Sequence, residues 1–441
     1  MGYFSSTKKR LNQTIDLTDI TLSSQQQKLF DTIEKTSHHM YITGRAGTGK
    51  SMLLQYFKQN SKKNFVVVAP TGVAALNVGG QTIHSLFRIP PSAIDFENLR
   101  VDPRTKALLK KLDTVVIDEV SMVRADLMDA IDMILQIARD SDVAFGGVQM
   151  VLFGDLYQLP PVIRGAEMQM QFEENNGGVY FFNAHAWKDT YLDIYELTTN
   201  FRQSDEHFKG LLDAIRTGSL DEEVLGHLNK RAGIPVPGEG IIVLATTNKT
   251  VNDINTYQLG RLEGKLYEFK AAVSGAIEPS AYPTDDVLRL KKGAQVMMLR
   301  NDKDKRWANG TLGIIEEIDG ENVKVNIDGL IHKVNKEMWN KIKFSFNKIK
   351  NTVDEEVVSS FSQLPMRLAW AITVHKSQGQ TYNAAVIDMG NRAFAHGQTY
   401  VALSRCKSLE GVFLQRPIHP RDIIVDPVII DFMNKATVLE V

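Results

Sequence analysis

A single cysteine, Cys406, stands in a chain of 441 residues. No disulfide can close within the chain and no cysteine-based metal site can be built, which fits a reducing compartment. No apolar run approaches the ~18 residues that cross a bilayer, so no transmembrane segment is expected. Lys8, Lys9 and Arg10 are followed by no apolar stretch, and a secretory signal is not expected either. Charge of one sign is also missing: 51 basic residues against 52 acidic ones leave a net −1. The chain lacks the overall basic signature of many nucleic-acid binders, so any polyanion must be held by local patches. What remains is globular in kind. Hydrophobic residues make up 43% and charged residues 23%, and at roughly 150 residues per domain the length implies more than one core.

The order of apolar runs gives the fold class. Met40-Tyr41-Ile42 leads into a glycine loop, Val66-Val67-Val68-Ala69 into Pro70-Thr71-Gly72, Val115-Val116-Ile117 into Asp118-Glu119, and Met150-Val151-Leu152-Phe153 into Gly154-Asp155. Helical patterns such as Leu127 to Ile137 separate them. Buried strands alternating with helices predict an α/β fold with parallel sheets, whose ligands sit at the strands' carboxyl ends. A second set of runs (241–244, 385–387 and 412–414) predicts a second α/β lobe. Residues 289–365 read instead as short, partly alternating strands punctuated by Gly310, Gly313 and Gly320, a small all-β insertion. Prolines at 90, 91 and 103 interrupt the rhythm at 87–104 and mark another insertion. Residues 1–20 are polar and aperiodic, a flexible tail.

Chemistry enters at Gly44-Arg45-Ala46-Gly47-Thr48-Gly49-Lys50-Ser51, which satisfies G-x-x-x-x-G-K-[ST] between a strand and a helix. Its glycines let backbone N–H groups turn around phosphate oxygens. Lys50 offers a point charge to the β and γ phosphates and Ser51 a hydroxyl to Mg²⁺. Asp118 and Glu119 close an apolar strand, as a metal-holding acid and a water-orienting acid should. The ten histidines show no H-x-x-x-H pair, so zinc is not supported.

Other motifs say what the ATPase drives. Ala69-Pro70-Thr71-Gly72-Val73-Ala74-Ala75, Gly80-Gln81-Thr82-Ile83-His84-Ser85, Asp118-Glu119-Val120-Ser121-Met122, Gly154-Asp155-Leu156-Tyr157-Gln158-Leu159-Pro160-Pro161 and Leu197-Thr198-Thr199-Asn200-Phe201-Arg202-Gln203 come in that order. Ala369-Trp370-Ala371-Ile372-Thr373-Val374-His375-Lys376-Ser377-Gln378-Gly379 and Tyr400-Val401-Ala402-Leu403-Ser404-Arg405 follow. Together they resemble superfamily-one helicases, branch B, of the petite-integration-frequency (PIF) family, and the RecD helicases more distantly. The resemblance runs from about 22 to 432.

It implies tandem RecA-like P-loop lobes with ATP in the cleft between them: 21–195 as the first lobe, with a wedge insertion near 87–104, and 196–288 with 366–441 as the second. The β insertion at 289–365 would be the family's SH3-like module. Carried over by position, Gln26 is the adenine-reading glutamine, its amide suited to donate and accept at one base edge. Gln158 is the γ-phosphate sensor. Arg202 and Arg405 reach the γ-phosphate from the second lobe, where a planar array of donors meets spread charge. Gly379 joins the nucleotide-binding set. Thr71, His84, Thr373, His375 and Lys376 touch the DNA backbone, where short donors set register without reading sequence. Seven lysines against Glu321, Asp328 and Glu337 in 321–350 form a local basic excess and a second DNA-facing candidate.

The expectation is an ATP- and Mg²⁺-dependent helicase translocating 5′ to 3′ on single-stranded DNA and opening forked or tailed duplexes. It would serve replication, repair, recombination or genome maintenance. G-quadruplexes and RNA–DNA hybrids are further partners that the resemblance admits; a membrane is not among them. The protein is expected in the cytoplasm of a bacterial or phage setting, as a monomer or weak DNA-induced dimer. A RecD-like motor subunit of a nuclease complex and an ATP-switched nucleic-acid clamp are the rival readings. Glu119, Arg202 and Arg405 together argue against a clamp that cannot hydrolyse ATP.

Overall fold

Apolar runs of four to six residues become the central strands because both their faces are covered by helices. The computed structural model describes residues 21–90, 94–163, 166–188, 190–238, 240–347 and 349–439; the expected tail at 1–20 lies outside them. The first lobe is a seven-stranded parallel sheet in the order Val438–Leu439, Leu192–Leu197, His39–Gly44, Gln149–Phe153, Thr114–Ile117, Phe65–Ala69, Gln81–Thr82. One helix shows how a face is made. Ala125–Arg139 buries Leu127, Met128, Ile131, Ile134 and Leu135 on the sheet, at spacings of three and four that form one stripe.

The second lobe has a four-stranded parallel sheet in the order Ala371–Thr373, Ile242–Ala245, Ala385–Asp388, Val412–Leu414. Its core gathers Phe208, Leu211, Ile242, Leu244, Ile372 and Val401. It also takes in Ala46 and Leu159 from the first lobe, so the base of the cleft is shared.

Between these strands lies the β insertion. Its five-stranded antiparallel sheet runs Leu330–Val334, Asn322–Ile327, Leu312–Asp319, Gln295–Met298, Met366–Leu368. The sheet therefore reaches past 365, the expected boundary, because Val296 pairs with Leu368. Part of the insertion also leaves that sheet. The long hairpin of Glu337–Asn347 and Thr352–Gln363 pairs with Ala272–Ser274 and buries Ile342 and Phe344 in the first lobe's core.

The chain's last elements depart from the expected assignment of 366–441 to the second lobe. Ile429 of the helix Pro427–Lys435 is buried in the first lobe's core, Phe432 stacks on Phe182 at 4.0 Å, and Val438–Leu439 adds a parallel edge strand to the first sheet. Apolar complementarity decides this return.

At 87–104 no regular element forms among the described residues between Arg88 and Asp102. Ile89 and Leu99 are buried while Phe96 is 36% exposed; Pro91, Ser92 and Ala93 of the expected wedge insertion lie outside the described residues. Asp102 restarts a helix, Pro103–Leu109, by accepting the N–H groups of Arg104 and Thr105 at 3.0 and 3.1 Å.

Candidate nucleotide and DNA site

Four adjacent strands of the first sheet end in the nucleotide residues. His39–Gly44 runs into the P-loop, Thr114–Ile117 into Asp118 and Glu119, Gln149–Phe153 into Asp155 and Gln158, and Leu192–Leu197 into Asn200 to Gln203. The P-loop's glycines are required by close approach. Gly47 has φ +90°, and a Cβ there would lie 2.5 Å from the Arg202 Cβ; Gly49 has φ +81°, and a Cβ there would meet the Gln26 amide at 2.5 Å. Lys50 is the first residue of the helix Lys50–Asn60. Its ammonium donates to the carbonyls of Gly44 and Arg45, and burial pulls its pKa below the ordinary lysine value. Thr48 donates its hydroxyl to the Arg45 carbonyl at 2.9 Å, and Ser51 stands exposed in the first helical turn.

The second lobe closes on the same loop. Tyr400 accepts the Ala46 N–H at 3.0 Å, the Phe201 N–H donates to the Gly47 carbonyl at 2.9 Å, and Arg45 pairs with Asp213 at 2.9 Å.

Gln26 is fully buried beside this loop as the third residue of the helix Ser24–Lys35. Its Oε1 accepts the Ser23 N–H at 3.0 Å and its Nε2 donates to the Gly49 carbonyl at 3.2 Å. One amide hydrogen and one lone-pair direction remain, the donor–acceptor pair that an adenine edge needs. Neighbouring Gln25 is spent on the strand end, bonded to the Glu196 carbonyl and the Thr198 N–H.

Two acids share the cleft wall. Burial and the Glu119 carboxylate push the Asp118 pKa up to about 7; burial likewise raises that of Glu119. Glu119 sits at φ 53°, a left-handed conformation uncommon for glutamate, which the turn Val120–Met122 fixes. Strain of this kind persists where the surroundings over-determine it.

Facing them are two arginines, Arg405 buried and Arg202 half-buried. Arg405 is 1% exposed; its Nε donates to the Val401 carbonyl at 2.8 Å, its Nη1 to those of Ser377 and Gln380, and its Nη2 to the Ser404 hydroxyl. Arg202 donates to the Ser404 carbonyl at 3.1 Å. Burial, then Arg405, depresses the pKa of Arg202. Among the described residues these donors go to carbonyls and a hydroxyl rather than to carboxylates. Two like charges desolvated together form an anion trap.

Gln158 is 8% exposed. Its Nε2 donates to Asp155 at 3.2 Å and its Oε1 faces the Gln378 amide of the second lobe at 3.5 Å. A Cβ on Gly397 would fall 2.4 Å from the Tyr157 carbonyl, and the His396 ring bonds the Leu156 carbonyl at 2.8 Å, so the second lobe rests on this loop. Gly379 lies exposed at φ +77° in the turn that follows His375–Ser377.

The DNA candidates lie elsewhere, in the turns and short helices after the strands toward one side of each sheet. Thr71 follows Phe65–Ala69 and caps the helix Gly72–Val78 through the Ala74 N–H at 3.2 Å; His84 follows Gln81–Thr82. Burial lowers the pKa of His84, and of His375 likewise. In the second lobe Thr373 ends the edge strand, and its hydroxyl accepts the Lys376 N–H at 3.3 Å, so Thr373, His375 and Lys376 share one turn. Partial burial, then Arg367, draws the Lys376 pKa down. The insertion's hairpin comes close to the first set, where the Phe344 N–H donates to Gln81 at 3.1 Å, and Ala281 of the turn Pro279–Ala281 packs where a Cβ on Gly72 would stand.

The lysine-rich 321–350 is less open than its composition implies. Lys324 pairs with Glu317 at 2.8 Å and Lys336 with Glu321 at 3.1 Å.

Known proteins share this arrangement. The family model for a PIF1-like helicase matches residues 21–225, and that for the DNA helicase Pif1 2B domain matches 276–318. The ATP-dependent DNA helicase Pif1 of Bdellovibrio bacteriovorus is 31% identical, over 95% of this chain and 92% of that one. This chain belongs to the PIF1-like helicase family. Human ATP-dependent DNA helicase PIF1 is 32% identical over 93% of the chain, which spans only 63% of that relative's length. Unliganded Pif1 from Bacteroides sp., 36% identical, superposes with a TM-score of 0.87 over 94% of this chain and 97% of that one. The same Bacteroides protein bound to single-stranded DNA, with the same coverage, gives 0.68. The PIF1-like chain described here thus superposes better on the unliganded Bacteroides structure than on the DNA-bound one.

Several residues of this PIF1-like site carry no signal that sequence reasoning used. Asp155 lies inside a quoted motif, yet its burial at the cleft centre is set by the fold. Phe201, 56% exposed beside Gly49, offers an aromatic face near Gln26; its place next to Arg202 was the available clue. Arg216, Asp213 and His396 belong to none of the quoted motifs.

Proposed function

We propose that this chain is an ATP-driven DNA helicase that moves 5′ to 3′ along a single strand and separates forked or tailed duplexes. The observation that carries this reading is the cleft itself, with Lys50 and Glu119 on one lobe and Arg202 and Arg405 on the other. Triphosphate entering the cleft takes the place of the carbonyls that now hold Lys50. Glu119 orients the attacking water and receives its proton, which its raised pKa favours. Arg202 and Arg405 meet the charge that grows on the γ-phosphoryl oxygens, so hydrolysis requires the lobes to close and its completion lets them part. Thr71 and His84 on one lobe and Thr373, His375 and Lys376 on the other would then move relative to each other along the strand.

The donor set suits Mg²⁺. Among the described residues no cluster of three or more metal-ligating acids, histidines or cysteines exists, and an ion that takes most of its ligands from phosphates and water needs only Ser51 and Asp118. Bound there, the ion neutralises phosphate charge.

Duplexes with a 5′ or a 3′ single-stranded tail test the reading. ATP-dependent opening of the 5′-tailed substrate alone is expected. Equal opening of both would contradict the direction, and opening of neither would favour a motor subunit or a clamp.

A further inference from the structure

One buried arginine has no part in this scheme. Arg216 stands on the helix Glu206–Thr217, whose Phe208, Leu211, Leu212 and Ile215 enter the second lobe's core. Its guanidinium points the other way, across the cleft. Nη2 lies 3.3 Å from the Asp155 carboxylate and 3.7 Å from that of Glu196, both in the first lobe, and the Tyr157 ring lies 4.2 Å beneath. Arg216 is 7% exposed and Asp155 1%, and the Arg216 Nε finds no acceptor among the described residues. Stability does not explain such a pair, since buried ion pairs gain little over well-packed apolar side chains. One turn earlier the same helix sends Asp213 to Arg45 of the P-loop. An acid and a base three residues apart thus grip two different nucleotide loops.

What Asp155 does gives Arg216 its consequence. Its carboxylate accepts the Tyr157 N–H and the Gln158 amide, each at 3.2 Å, and its carbonyl accepts the Gln158 N–H at 2.9 Å. It also attracts Lys50. Left without Arg216, a buried carboxylate would turn to Lys50 for its counter-charge, and the phosphates would lose their lysine.

We infer that Arg216 is a positioning residue of ATP turnover: it neutralises Asp155, which leaves Lys50 to the phosphates, and it ties the Asp155–Gln158 loop to the second lobe. This rests on the ATPase reading above.

The test is DNA-stimulated ATP hydrolysis by the full chain, with KM and kcat measured separately and folding checked by thermal melting. Arg216→Gln should raise the KM for ATP at least about tenfold, because a buried charge loses its partner. Adding Asp155→Asn removes that charge and should bring KM back to within about threefold of wild type, while kcat stays at least about tenfold low for want of the tie between lobes. Arg216→Lys keeps the charge but not the fork, so KM should hold and kcat fall, a readout available even if R216Q does not fold. Unchanged KM in R216Q, a raised KM that D155N does not restore, or wild-type kcat in R216K would overturn the inference. A wild-type chain without ATPase would sink the activity and the inference together; an active wild type with unresponsive variants sinks only the inference.

Discussion

The nucleotide cleft and the β insertion both concentrate charge, and they use it in opposite ways. In the cleft Asp118, Glu119, Asp155, Arg202, Arg216 and Arg405 are desolvated and their pKa values are displaced, and among the described residues Arg202 and Arg405 donate to carbonyls and a hydroxyl rather than to a carboxylate. In the insertion Lys324 and Lys336 stay near the surface and are answered by Glu317 and Glu321. A count of charges in the sequence ranks the lysine-rich stretch as the more polyanion-seeking of the two. Burial reverses that order, because interaction energies of surface charges are small and screened while those of buried ones are not.

Glu119→Gln should break the cleft most severely. It keeps the side chain's shape but removes the base, so turnover falls by ~10²–10⁴. ATP binding, followed with a fluorescent analogue, should stay within a few-fold of wild type, since Lys50 and the P-loop are untouched.

Burial without chemistry should behave differently, and His39 shows it. It begins the strand whose other end is the P-loop, packs against Phe145 and Trp187, and accepts the Met150 N–H on Nδ1. Burial first, then His38, lowers its pKa to about 4. The unfolded chain takes up this proton near pH 6.5 and the folded one only near 4. Stability should therefore be complete above pH 6.5 and decline as pH falls toward 4, by up to about 3 kcal/mol. Urea midpoints of wild type and His39→Asn across that window check it. A wild-type decline no steeper than the variant's would contradict the assignment, and turnover at pH 7.5 should differ little between them.

Lys324→Ala with Lys336→Ala should do least. Each loses only an exposed, salt-screened ion pair, and single-strand affinity with its salt slope should stay as in wild type. A slope reduced by about 0.7 per lysine would show that these side chains reach phosphates.

The same contrast separates what could be read from the sequence from what could not. The P-loop, Asp118 and Glu119 are legible because strand, turn and side chain are contiguous, so local sequence alone brings them to one end of the sheet. Gln26 needs the Gly49 carbonyl 23 residues away, and the family likeness supplies what spacing does not. Arg216 is beyond reach, since its partner Asp155 is 61 residues distant and across a cleft. The parallel sheets follow from the apolar runs, whereas the return of Val438–Leu439 to the first sheet does not. Two exposed residues carry no periodicity, and Phe432 on Phe182 decides the matter.

The central claim is that one cleft is completed by arginines from the second lobe. Arg405→Ala tests it most directly, with ATPase measured with and without single-stranded DNA beside DNA affinity in the absence of nucleotide. Loss of an arginine that meets the γ-phosphate costs ~10³–10⁵ in rate in well-studied phosphoryl transfer. DNA-stimulated hydrolysis should therefore nearly vanish while strand affinity stays within a few-fold of wild type. Wild-type stimulated turnover in Arg405→Ala would contradict the account.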